Sequence, residues 1–257
     1  MRMTPWYACV ALAMSALPCV AIGQSWDGTW KLNQAKSKMT GSTATITQNG
    51  NMYTVDTGSF KFNFACDGKD YNFLPDRTIS CLGSGNSFTM DWKLNGKVQS
   101  TTKRTISADG KTMTDVETGK RPDGTAYTDH ETDTRVGSGS GMAGTWRSTV
   151  VKNSAPDIVV MKVNGDVLHI ENPGYKSVSD TKLDGTPAAI KGPTAPAGLM
   201  VSNKSDGPNK VLGVATLNGK EIGRDVMTLS ADGKTMTDVS WTPGKESEKQ
   251  TYVYERQ

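Results

Sequence analysis

The sequence has little with which to do covalent chemistry. Among 257 residues there are two histidines, His130 and His169, and they stand far apart. No Gly-x-Ser-x-Gly elbow occurs, so no serine nucleophile of that type has a base waiting beside it. The four cysteines form no Cys-x-x-Cys, and with two distant histidines they make no zinc-ligand spacing. Charge of one sign is also missing. Lys+Arg 29 against Asp+Glu 26 leaves a net +3, which gives no electrostatic basis for a nucleic-acid partner. Hydrophobic residues make up only 35% of the chain, below the roughly 45–50% of an average globular protein. A large helical core and a polytopic membrane protein are therefore not expected, and no window sustains a helical period.

The longest apolar run lies at the start. Arg2 precedes Trp6 to Ile22, which is apolar apart from Ser15, and Pro18 breaks the run. Ala21-Ile22-Gly23 puts small residues ahead of a cut before Gln24. This layout predicts a secretory signal peptide over 1–23 and a secreted or periplasmic mature chain with no transmembrane segment. The alternative is an uncleaved anchor, for which the run is slightly short. Cys9 and Cys19 would leave with the signal. The remaining pair, Cys66 and Cys81, reads as a disulfide in an oxidising compartment.

Self-comparison gives the domain organisation. Ser107-Ala108-Asp109-Gly110-Lys111-Thr112-Met113-Thr114-Asp115-Val116 recurs letter for letter as Ser230 to Val239. Gly28-Thr29-Trp30-Lys31 is echoed by Gly144-Thr145-Trp146-Arg147. Matched residues lie further apart near the end of the unit than near its start, so the second copy carries extra residues in its middle. Gly137-Ser138-Gly139-Ser140-Gly141 has a flexible-linker composition. The expectation is a first repeat over 24–136, a linker over 137–141 and a second repeat over 142–257.

Within each copy the pattern is β. Asn-Gly and Asp-Gly pairs start at Asn49, Asp67, Asn95, Asp109, Asp123, Asn164, Asp184, Asn218 and Asp232, each a hairpin signal. Phe60, Phe62 and Phe64 alternate with polar residues, as do Phe88, Met90 and Trp92. The predicted fold is all-β, two tandem small antiparallel up-and-down β-barrels.

The opening Gly28-Thr29-Trp30-Lys31-Leu32 resembles the G-x-W signature of the calycins, the lipocalins and fatty-acid-binding proteins. The closing Tyr252-Val253-Tyr254-Glu255-Arg256 is similar to the terminal strand of the latter. More narrowly, the chain resembles tandem lipocalin-like exported bacterial proteins. The resemblance implies that each tryptophan closes a barrel base beneath an arginine from the last strand, Trp30 with Arg135 and Trp146 with Arg256. It does not carry over an anion site, because Tyr252 precedes Tyr254 where those families place Arg-x-Tyr. Asn33 to Gly41 is also too short for their helical lid.

No catalytic, metal or cofactor site is expected. On a strand His130 faces opposite to Asp129, Glu131 and Asp133, which read as a solvated face or rim. The two copies differ where Phe88, Met90 and Trp92 correspond to Val211, Gly213 and Ala215. If that face points inward, the first lumen is filled and the second is open, with Leu199 and Met200 following the Pro/Ala-rich stretch 186–198. The alternative turns Leu212 and Val214 inward. The expected function is non-enzymatic binding of a small apolar ligand at Val211, Gly213, Ala215, Leu199 and Met200. The rival is a structural or protein-interaction module of the cell envelope with both barrels filled and exposed aromatics near Trp241, Tyr252 and Tyr254.

Overall fold

The computed structural model describes residues 25–257, and the expected signal peptide lies outside the described residues. The described residues form twenty strands and three single-turn 3-10 segments. In order the strands are β1 Gly28–Leu32, β2 Thr43–Asn49, β3 Met52–Asp56, β4 Lys61–Ala65, β5 Asp67–Leu74, β6 Arg77–Ser84 and β7 Ser87–Leu94. Then come β8 Lys97–Ile106, β9 Thr112–Lys120, β10 Ala126–Ser140, β11 Ala143–Lys152, β12 Ile158–Asn164, β13 Val167–Asn172 and β14 Ser177–Lys182. The last are β15 Ala188–Ala189, β16 Leu199–Ser205, β17 Lys210–Leu217, β18 Lys220–Leu229, β19 Thr235–Trp241 and β20 Gln250–Arg256. They make two antiparallel ten-stranded sheets, each curled into a nearly closed barrel.

The barrels do not coincide with the sequence repeats. One sheet runs β4-β3-β2-β11-β10-β9-β8-β7-β6-β5, and the other β14-β13-β12-β1-β20-β19-β18-β17-β16-β15. Each repeat therefore lends its G-x-W strand to the other barrel, which corrects the boundaries of 24–136 and 142–257. The first barrel is the continuous stretch 43–152, and the second is 158–256 with β1 inserted between β12 and β20. Local connection accounts for the exchange. The expected linker is no linker: β10 continues to Ser140 and turns directly into β11, pairing Gly139 with Gly144 and Ser140 with Ala143. A short hairpin closes at less entropic cost than the return of β1 from the far end of the repeat. β1 and β11 share the Gly-Thr-Trp stretch through which each closes its barrel base. The two crossovers lie side by side, where the Gln34 amide donates to Asn153 O (2.6 Å) and accepts from Asn153 N (3.0 Å).

The closing pairs are exchanged too. The Arg135 guanidinium lies 4.0 Å over the Trp146 ring and that of Arg256 lies 4.2 Å over Trp30. The same four residues close the bases, but with partners opposite to those expected. Both indoles are buried and donate to the carbonyl four residues upstream, Trp30 to Trp26 (3.1 Å) and Trp146 to Met142 (2.9 Å). Gly28 and Gly144 have φ of +150° and +148°, and a Cβ on either would collide with its arginine. The repeated decapeptide holds the other side of each arginine. Arg135 Nε donates to Gly110 O (2.6 Å) and Arg256 Nε to Gly233 O (2.8 Å). Those loops are braced identically: the Ser107 and Ser230 hydroxyls donate to Asp109 (2.6 Å) and Asp232 (2.7 Å).

Asn95-Gly96 and Asn218-Gly219 have positive φ at both residues, as primed hairpin turns require. Asp67-Gly68 forms a bulge in β5 instead of a hairpin.

The seams differ. In the first barrel β4 and β5 share no ladder, and Cys66–Cys81 ties the end of β4 to β6 across the gap. In the second, backbone bonds between Val178 and Lys191 (2.8 Å each way) bridge β14 to the segment after β15. Buried Asn203 adds a donor to Thr181 Oγ1 at 2.8 Å.

Candidate functional site

The larger lumen is in the first barrel, a cavity of 490 Å³. The inward row Phe88, Met90 and Trp92 is oriented as expected, since Phe88 and Met90 are buried and Trp92 lines the cavity. Yet these residues do not fill it. The aromatics gather on one wall: Trp92 packs edge-on against Phe62 (6.0 Å) and Phe73 (5.7 Å), and Phe62 stacks with Phe64 at 6.2 Å.

The facing wall is polar. Arg104 on β8, Asp115 on β9, and Glu131 and Asp133 on β10 all line the cavity. Arg104 and Asp115 are cross-strand partners, as are Asp115 and Glu131. Arg104 grips Asp115 with both edges, Nε to Oδ1 at 2.8 Å and Nη2 to Oδ2 at 2.6 Å. Burial, then the neighbouring Asp133 and Asp115 charges, push the Glu131 carboxyl up to about 7. Burial followed by the Asp115 charge raises Asp133 to about 6. The expected solvated face of Asp129, Glu131 and Asp133 is thus corrected for the last two, whereas His130 on the opposite face is exposed.

The second lumen is smaller, at 230 Å³. Its walls include Val201 and Asn203 from β16, Asp225 and Met227 from β18, and Met236 and Asp238 from β19. Val211 is buried in the apolar core of this barrel, so the Val211–Gly213–Ala215 face does point inward. The room freed by Gly213 is taken by its cross-strand partner, because a Cβ there would collide with the Asp225 carboxylate. The expected contrast of a filled first and an open second lumen is therefore not found: both hold a cavity, and the first is the larger. Leu199 and Met200 are half-buried and pair with Leu217 and Thr216, and the structure does not bring them to the lumen. Ala215 instead lines a crevice between the barrels.

That crevice, 330 Å³ in volume, adjoins both lumens. It shares Thr43, Thr57 and Thr242 with the first cavity, and Asp225 and Asp238 with the second. A latch spans it. Thr43 N and Oγ1 each donate to Glu248 at 2.8 Å, and Lys245 Nζ donates to Thr43 O at 2.7 Å. Burial, then the nearby Asp225, push Asp238 up to about 7, and burial alone raises Asp225 to about 6.

The remaining expectations sort simply. Cys66 and Cys81 are bonded, 4.3 Å apart at Cα. Of the aromatics that would favour an interaction module, Tyr254 is buried, Tyr252 and Trp241 are half-buried, and Trp241 lies under the Lys249 ammonium at 4.4 Å. Among the described residues no group of three His, Cys, Asp or Glu side chains could hold a metal ion. No described helix is long and apolar enough to cross a membrane. The two nearly closed antiparallel barrels are compatible with a tandem calycin-like fold. No family model, curated protein or solved structure matches this chain, so the lumens themselves carry the functional argument.

Proposed function

We propose that the protein is an exported, non-catalytic carrier that takes up a small, largely apolar molecule in the lumen of the first barrel. The observation that supports this most is the cavity of 490 Å³, floored by Trp146 and walled by Phe62, Phe64 and Trp92. Small-molecule sites commonly enclose about 300–1,000 Å³, mostly apolar with a few polar groups that orient the ligand. The first lumen falls within that range, and the second, at 230 Å³, falls below it. Export rests on the N-terminal sequence and on the Cys66–Cys81 bridge, which suits an oxidising compartment.

The test is fluorescence titration of residues 24–257 with neutral N-phenyl-1-naphthylamine. We expect saturable binding of one probe per chain. Ala44 lines the first lumen. Ala44→Trp should weaken uptake by about tenfold or more by occupying the space a ligand would fill. Val201 lines the second lumen, and Val201→Trp should leave uptake unchanged. The opposite pattern would move the site to the second barrel.

A further inference from the structure

The polar wall of the first lumen is unevenly partnered. Arg104 is paired with Asp115 through two parallel hydrogen bonds. Glu131 and Asp133 have no hydrogen bond or ion pair from any other described side chain, although Asp133 is only 7% exposed. A buried carboxylate without a partner is costly, and the cost is removed by a cation or by protonation. Phe62, Phe64 and Trp92 also line the cavity, and the face of an aromatic ring attracts a cation.

We infer that the ligand of the first barrel carries a protonated primary amine on an apolar body, the ammonium seated at Glu131 and Asp133. This rests on the carrier reading above and names its ligand class. Three carboxylates face the lumen against one guanidinium. An anionic ligand would have to displace Asp115 from Arg104 and then sit beside two further carboxylates. A neutral ligand would strip the remaining water from Glu131 and Asp133 and return no charge. An ammonium supplies three donors to the two unpartnered carboxylates and offsets one of their two charges.

The charged groups that bear on Glu131 and Asp133 are few. Arg104 acts from β8, and Asp115 and Glu117 act from β9. From β11 the opposed residues are Val151 and Ser148, neither of which titrates here. Tyr252 on β20 feels the Glu131 charge from the second barrel. Of these only Arg104 is positive, and it is already paired.

The experiment is calorimetric titration of the mature chain with decylamine, decanol and decanoate, each below its micelle concentration. At pH 8 decylamine should bind on the order of tenfold or more tighter than decanol, with decanoate weakest. At pH 5, with both carboxyls protonated and the amine still charged, that advantage should vanish. The double variant Glu131→Gln/Asp133→Asn should lose the advantage at pH 8 and keep decanol binding. If that variant does not fold, the pH comparison on the unaltered chain decides. Equal binding of amine and alcohol, or tightest binding of decanoate, would overturn the amine assignment and leave the carrier reading intact. Failure of all three to bind would overturn the carrier reading, and this inference with it.

Discussion

Trp30→Ala is expected to destabilise the barrel formed by residues 158–256 by about 3–5 kcal/mol and to leave the barrel of residues 43–152 folded. The effect crosses the repeat boundary because β1 sits between β12 and β20. The Trp30 indole is fully buried, in one core with Met161, Leu168, Met227 and Met236. Removing it deletes that packing and the support under Arg256, which binds the carbonyls of Ser25 and Asp27. Trp146→Ala is the mirror case and should unfold the first barrel, where Trp146 packs in the core that holds Ile46, Phe64 and Met113. Peptide-resolved hydrogen exchange in mild denaturant distinguishes the two variants. Loss of protection over 43–136 in Trp30→Ala, with 158–256 unaffected, would mean that each repeat closes on itself.

Breaking the Cys66–Cys81 bridge has the next largest expected effect. The two cysteines are 15 residues apart, and closing a loop of that length is worth about 3 kcal/mol in the chain-entropy account. The bridge also lies where the first barrel lacks a ladder, so its loss acts on the weakest line of that sheet. The double variant Cys66→Ala/Cys81→Ala should lower the denaturation midpoint of the first barrel and expose β4 and β5 first to exchange. The second barrel, closed by backbone bonds and by Asn203 on Thr181, should keep its own midpoint. An unchanged first-barrel midpoint would show that β4 and β6 hold together without the bond.

Much of this architecture is legible in the letters. The turn at Asn95-Gly96 and its copy at Asn218-Gly219 announce hairpins because the primed turn needs positive φ at both residues. The G-x-W pair announces the base closures, since glycine at 28 and 144 leaves the space the arginine occupies. The partner of each tryptophan is not legible, because Gly28-Thr29-Trp30 and Gly144-Thr145-Trp146 are the same strand twice. Only the length of the connection after β10 decides which is used, and a Gly/Ser stretch reads equally as linker or hairpin.

The lumens are legible only with the cross-strand register in hand. Gly213 looks like empty space until Asp225 is placed opposite it. The acidic row of the first barrel did carry a signal. Glu131 and Asp133 alternate at strand spacing, and the decapeptide repeat puts Asp115 in register with Asp238. At the same spacing Arg104 matches Met227, so the first copy pairs its inward aspartate and the second does not. One Asp238 oxygen is indeed buried without a hydrogen-bond partner. On the inward face the two copies thus differ in charge as well as in bulk.

The first lumen is expected to hold a small molecule. Native mass spectrometry of the chain purified from its own source tests it most directly. The expected result is a discrete added mass, lost on denaturation and absent from Ala44→Trp prepared in the same way. An added mass that persists in Ala44→Trp, or none in either protein together with no uptake of decylamine or decanol, would contradict it.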